Sequence, residues 1–211
     1  MNPKAMNAIS YGLYILSARE KSFDNACVIN TLAQVTSTPN RVSITVNKQN
    51  VTHDLILRTG VFNVSVLSER ADFALIRRFG FQSGSQANKF NGWEGFARST
   101  VNGVTYITEG TNAYLCGRVV QSVDLGTHTM FIADVTGGEL LDDAPSATYA
   151  YYHAHIKPRP DQKQPAQSAD APKTVWRCKI CGYEYEGDTL PEDYICPICK
   201  HGADDFERVE R

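Results

Sequence analysis

Residues 41–67, RVSITVNKQNVTHDLILRTGVFNVSVL, decide the fold. At one end Val42, Ile44 and Val46 alternate with polar neighbours, and at the other Phe62, Val64 and Val66 do the same. Strand side chains point to opposite faces in turn, so this alternation marks a strand with one buried face. Between the two, Asp54-Leu55-Ile56-Leu57-Arg58 reads as a short helix that Thr52 can cap and Gly60 can end. Outward from this stretch, β-branched and aromatic runs recur at Tyr11–Ser17, Ala26–Leu32, Ala113–Val123 and Thr127–Val135. A second helix is predicted over Asp72–Phe79, capped by Ser68, with Gly80 suited to the position after its last turn. Short, closely spaced strands with few helices predict a mainly β chain, a small antiparallel barrel. A parallel sheet would need helices alternating regularly with the strands, and they do not.

The totals exclude several classes. A chain of 211 residues with formal charge −2 and 42% hydrophobic content has core-forming material and no basic excess for nucleic acid. No apolar run approaches the ~18 residues of a membrane span. Met1-Asn2-Pro3-Lys4 opens no apolar signal region, so a cytoplasmic protein is expected. The charge is unevenly placed: residues 1–156 carry 12 basic and 12 acidic side chains, whereas residues 174–211 carry five and nine. Between them, residues 157–173 (KPRPDQKQPAQSADAPK) contain four prolines and no Val, Ile, Leu or aromatic residue. That composition cannot offset its ordering entropy by burial and reads as a flexible linker, spanning about 50 Å when fully extended. Two domains, 1–156 and 174–211, are therefore expected on one tether.

Four of the six cysteines lie in the last segment, as Cys178-Lys-Ile-Cys181 and Cys196-Pro-Ile-Cys199, with 14 residues between the pairs. Two-residue spacing lets both sulfurs of a tight turn face one ion, and two such turns complete a tetrahedral four-thiolate site. Trp176, Tyr183, Tyr185, Tyr194 and Phe206 surround these knuckles in sequence. The strings W-x-C-x-x-C-G-Y-x-Y (176–185), L-P-x-D-Y-x-C-P-x-C (190–199) and D-D-F-E (204–207) resemble rubredoxin. The short stretch between the knuckles resembles the compact rubredoxin-like tail of rubrerythrins, and Lys200 stands where a glycine is usual. The resemblance implies one tetrahedral Fe(Cys)4 centre on Cys178, Cys181, Cys196 and Cys199; a structural zinc ribbon is the other reading of the same donors.

In the first domain, three polar clusters stand out: Asn30–Thr36, Asn47–His53 and Arg77–Gly84. The second places a lysine and amides directly before a helix N-terminus, where backbone N–H groups and the helix dipole favour a phosphate. Thr52 is equally a helix cap, and the arginines equally a solvated helix face. Together, Y-G-L-Y-I-L-S (11–17), N-T-x-x-Q-V-T-x-x-P (30–39), N-K-Q-N-x-T-H (47–53), R-F-G-F-x-S-G (78–84) with Lys89-Phe90, D-x-G-T-H-T-x-F-I (124–132) and the Tyr-rich end 149–153 resemble the flavin reductase-like, FMN-binding split barrel, especially its flavoredoxin branch. That resemblance implies that Asn30, Thr31, Gln34 and Thr36 contact the isoalloxazine and ribityl chain. It places Asn47, Lys48, Asn50, Thr52, His53, Ser83 and Gly84 around the phosphate. His128 is implied on the nicotinamide side of a homodimer whose flavins lie near the interface. Cys27 and Cys116 read as small buried hydrophobes.

The combination, a flavin barrel fused to a rubredoxin-like tail, resembles the high-molecular-weight rubredoxins of anaerobic bacteria. It implies an NAD(P)H-dependent oxidoreductase that passes electrons from NAD(P)H through FMN to the iron and on to a flavodiiron O2/NO reductase. The tether would hold the tail near the barrel at an effective concentration of roughly millimolar. Two other readings stay open: a flavin or ferric reductase that releases reduced FMN, and an FMN barrel with a zinc-ribbon docking tail. Neither a nucleic-acid nor a membrane partner is expected.

Overall fold

The structure, a computed structural model, describes residues 5, 8–158, 175–180, 182–187, 189–196 and 201–209. The chain divides into two compact units, Met1–Pro158 and Arg159–Arg211. Residues 159–173 of the expected linker, and Cys181 and Cys199, lie outside the described residues. Among the described residues, no helix is long and apolar enough to cross a membrane.

The first unit runs β1 (Tyr14–Glu20), β2 (Phe23–Ile29), β3 (Ala33–Ser37), β4 (Asn40–Asn47), α1 (Val51–Thr59), β5 (Val61–Leu67), α2 (Phe73–Gly80), β6 (Phe96–Arg98), β7 (Thr105–Ile107), β8 (Thr111–Asp124), β9 (His128–Leu140) and α3 (Tyr149–Tyr151). Seven strands form one antiparallel sheet in the order β2-β1-β5-β8-β9-β4-β3, and β6 pairs with β7 beside it. The sheet begins and ends on strands adjacent in sequence, as expected of a barrel left open along one seam. The mainly β expectation holds.

The alternation in β4 and β5 resolves into an interior. Val42, Ile44 and Val46 meet Phe62, Val64, Phe131 and Ala133, and α1 contributes Leu55 and Ile56 to the same cluster. Each such fully buried side chain stabilises the fold by roughly 1.5–3 kcal/mol. A second cluster covers the outer face: Ile15 and Ala26 project there while their neighbours Leu16 and Cys27 project inward. Leu75, Ile76 and Phe79 of α2, with Phe90 and Ile107, pack on that outer face. Because both faces of β5 are covered, its polar residues Asn63 and Ser65 are buried and serve the loops above them. Asn63 Nδ2 donates to the Val104 carbonyl at 2.8 Å, and Ser65 Oγ accepts the Ile107 N–H at 2.8 Å.

Several local expectations are corrected. Helix α1 begins at Val51 with Asn50 in the cap position and no side-chain cap, so Thr52 lies within the first turn. Its hydroxyl is already engaged by Asn25 Nδ2 at 3.0 Å. Gly60 does end the helix, with φ 69° and its N–H on the Ile56 carbonyl. Helix α2 is capped by Asp72, whose carboxylate accepts the Leu75 N–H at 2.8 Å, whereas Ser68 Oγ donates to the Gly110 carbonyl. Gly80 is the last helical residue, and Phe81 follows at φ −107°. The strand expected over Ala26–Leu32 is shifted to Phe23–Ile29, and a separate strand occupies Ala33–Ser37. After α3 the chain makes one wide turn in which the Lys157 N–H reaches the Tyr152 carbonyl at 2.8 Å.

In the second unit, β10 (Val175–Cys178), β11 (Glu184–Glu186) and β12 (Phe206–Val209) form an antiparallel sheet in the order β11-β10-β12. Its core is Cys178, Cys196 and Phe206, enclosed by Trp176, Tyr183, Tyr185, Leu190 and Tyr194.

Lys89 is 4% exposed, and its ammonium donates to the carbonyls of Ala26 and Phe79 at 2.8 and 3.0 Å, tying α2 to β2. A buried carbonyl stripped of its donor is costly, so Lys89→Met is expected to destabilise the first unit by roughly 2–4 kcal/mol. Urea unfolding followed by tryptophan fluorescence checks this.

Candidate flavin site and metal centre

The end of β4, the start of α1 and the β8–β9 turn form one locus. Asn47 closes β4 opposite His128, the first residue of β9. The Lys48 N–H donates to the Thr127 carbonyl at 3.0 Å, and Lys48 Nζ pairs with Asp124 Oδ1 at 2.7 Å. The chain then turns into α1: Asn47 Oδ1 accepts the Gln49 N–H at 2.8 Å, and the Asn47 carbonyl accepts the Asn50 N–H at 3.0 Å. The Lys48 ammonium and the Gly126 N–H beside Asp124 hold its carboxyl below the usual carboxylate range. His128 Nδ1 lies 2.8 Å from Thr127 Oγ1. Thus Asn47, Lys48 and Asn50 of one motif and His128 of another are neighbours at the positive end of a helix dipole.

Thr52 and His53 are 0% and 3% exposed. His53 Nε2 lies 2.9 Å from Thr129 Oγ1, its Nδ1 lies 2.9 Å from Asp54 Oδ1, and its ring leans on Phe131. Both side chains brace the start of α1 from inside. Ser83 and Gly84 reach the same place by another route. The Ser83 carbonyl accepts the N–H groups of Gln86 and Ala87, both at 3.1 Å, which folds the loop tightly. Gly84 packs on the carboxamide of Asn25, the group that bonds Thr52. Asn25, 3% exposed, escaped the sequence reading. Its one signal was its place directly before the apolar run Ala26-Cys27-Val28-Ile29.

The remaining predicted residues spread along β4. Thr31 Oγ1 donates to the Thr45 carbonyl at 2.6 Å and lies 3.2 Å from its N–H, which pins the segment before β3 near the Asn47 end. Asn30 and Thr31 are half-buried, whereas Gln34 and Thr36 sit on the exposed edge strand β3. Gln34 pairs opposite Val42 and Thr36 opposite Arg41, roughly 15–20 Å along the strand from Asn47. A separate cleft of ≈ 350 Å³ opens beside α2 between Arg77, Arg78, Trp93 and Glu109, and none of the predicted flavin residues lines it.

In the second unit, Cys178 and Cys196 are 1% and 0% exposed. The Gly182 N–H folds back on the Cys178 carbonyl at 2.8 Å, with Gly182 at φ 72°, and the Cys196 N–H donates to the His201 carbonyl at 2.8 Å. The backbone is therefore tied down at both cysteines, and both pack in the aromatic cluster. Burial pushes the Tyr194 phenol up, and its hydroxyl meets that of Tyr183 at 3.3 Å, so the shell carries no charge of its own. Two buried cysteines, each from a Cys-x-x-Cys pair, within an uncharged shell fit a thiolate-bound metal.

Residues 6–159 match the family described as flavin reductase like domain, and residues 176–207 match the rubrerythrin, rubredoxin-like domain. The chain is a flavin reductase-like oxidoreductase domain carrying a rubredoxin-like domain. It is 36% identical to the high molecular weight rubredoxin of Moorella thermoacetica, across 99% of this chain and 100% of that protein, and it belongs to that family. The first domain alone is 38% identical to the ferric-chelate reductase (NAD(P)H) of Archaeoglobus fulgidus, over 72% of this chain and 89% of that one. The solved structure of the Streptomyces globisporus NADH:FAD oxidoreductase SgcE6, in complex with NAD and FAD fragments, shares the fold. Its TM-score is 0.63 at 20% identity, covering 76% of this chain and 92% of that chain.

A carboxylate held below its ordinary pKa of 3.8 contributes above that value and loses its contribution as pH falls through the lowered one. Lys48→Met is expected to return the Asp124 midpoint upward, toward the ordinary value. Carboxyl carbon-13 shifts followed through an acid titration check it.

Proposed function

We propose that the protein is an NAD(P)H-dependent electron-transfer flavoprotein, with FMN in the first unit and one iron in the second. The bound flavin supplies the exchange between two-electron hydride chemistry and the one-electron chemistry of a thiolate-bound iron. The observation that carries the reading is the coexistence, on one chain, of a phosphate-type helix start and a sealed pair of knuckle cysteines. Lys48, Asn47, Asn50 and the start of α1 hold a terminal phosphate, which favours FMN; Ser83 and Gly84 close the other side of it. Asn30, Thr31, Gln34 and Thr36 line the ring and ribityl chain along β4. His128 stands beside Asn47, where its imidazole orients the incoming nicotinamide nucleotide. Cys178, Cys181, Cys196 and Cys199 are the ligands of the iron.

A homodimer in the cytoplasm is part of the proposal. All five residues of β3 are exposed, and Val35, Val120, Val123 and Leu125 present apolar surface on β3 and along the β8–β9 hairpin. Such surface is typically covered by a second copy. The acceptor proposed is a flavodiiron protein, approached through the acidic excess of residues 174–211. A second reading, a ferric or flavin reductase whose barrel suffices, is favoured by the 38% identity of that unit to the Archaeoglobus ferric-chelate reductase.

One experiment separates them. The anaerobic protein is mixed with NADH or NADPH while flavin and Fe(III)–thiolate absorbance are followed. Both bands are expected to bleach, and Cys196→Ser is expected to abolish the iron band while sparing flavin reduction. Flavin bleaching with oxidised iron, or a colourless zinc-loaded tail, overturns the relay. Unchanged acceptor turnover after truncation at Lys157 favours the reductase.

A further inference from the structure

We infer that Asn25, a residue outside all the motifs above, sets the gap between the two halves of the phosphate site; this rests on the phosphate reading just proposed. Two chain segments far apart in sequence meet on one carboxamide. Asn25 Nδ2 donates to Thr52 Oγ1 at 3.0 Å, inside the first turn of α1. The same group packs on Gly84, so closely that any side chain at 84 would collide with it. The next residue of β2 anchors the rest of the loop, because the Ala26 carbonyl accepts from Lys89, whose ammonium also holds the Phe79 carbonyl at the end of α2. The loop that runs from α2 to Lys89 is therefore clamped to β2 beside Asn25.

The chemistry of the carboxamide suits this position. It donates to Thr52 without carrying charge, so it braces an anion site without repelling the anion. An aspartate has the same shape, cannot donate, and adds a negative charge next to the phosphate. Asn25 is itself 3% exposed, its carboxamide bonded to Thr52 and packed on Gly84. It is a positioning residue for the phosphate end.

The test compares FMN with riboflavin, which lacks the phosphate, by equilibrium dialysis against the full chain stripped of flavin. The wild type is expected to prefer FMN. Asn25→Ala is expected to cut that preference about tenfold, with riboflavin affinity held. Asn25→Asp should cut it further. Gly84→Ala, placed on the loop side in case the strand variants fold poorly, should reduce the preference as well. Equal binding of both flavins by the wild type overturns the phosphate reading. A wild-type preference left intact by the variants overturns the role of Asn25 alone, and so does an equal loss for both flavins, which marks general packing.

Discussion

The register between β4 and β9 is the constraint on which the proposed flavin end depends. The ladder runs from Arg41 opposite Asp134 to Asn47 opposite His128. Strand side chains alternate, so a slip of one residue would turn Val42, Ile44 and Val46 out of the interior and bring Ser43 and Thr45 in. The same slip would take Asn47 off His128 and Lys48 off Asp124. Core packing and site geometry are therefore one condition, enforced mainly by the apolar side chains. The ion pairs at the two ends, half-buried Arg41 with Asp134 and exposed Lys48 with Asp124, add little energy but select the orientation.

How much of this was legible in the sequence follows from the range of each signal. The strands around 41–46 and 61–67 were legible because alternation over six or seven residues averages out local accidents. Helix starts were not, because Asn50, Thr52, Ser68 and Asp72 are all competent caps and only the tertiary partners choose among them. Thr52 lost its cap role to Asn25, and Ser68 to the Gly110 carbonyl. Strands β6 and β7 are three residues each, too short to show a period. Asn63 and Ser65 looked like the wet face of β5, yet they hold up the segment from Val104 to Ile107. The motif strings placed His128 in a separate cluster from Asn47 and Lys48, and only the β4–β9 pairing shows that they are one place.

The cysteines illustrate how spacing carries information that burial does not. Cys116 is as buried as Cys196, and both belong to apolar clusters or strands. Burial pushes the Cys116 thiol up, with Ser99 Oγ 3.2 Å away as a partial counterweight, so it remains a protonated packing group. Cys178 and Cys196 differ in what surrounds their backbone. The N–H of each is already committed, to the Tyr183 carbonyl and to the His201 carbonyl respectively. A backbone fixed in this way limits where its sulfur can point, which packing alone does not require and metal coordination does.

The binding end of the barrel separates bracing from contact. Asn25, Thr52, His53 and Thr129 are buried and polar: Asn25 bonds Thr52, His53 bonds Thr129, and the other His53 ring nitrogen meets Asp54. Among the described residues, the buried side-chain atoms without a partner are Ser17 Oγ, Asn112 Oδ1 and Trp176 Nε1, none of them in this network. A buried polar group left unpaired costs more than a pair contributes, so such a network holds one arrangement firmly. The exposed polar residues, Lys48, Gln34 and Thr36, sit outside it and face solvent. The first turn of α1 is thereby fixed before a ligand arrives. The entropy of ordering it falls on folding, where the whole core shares it, and not on binding.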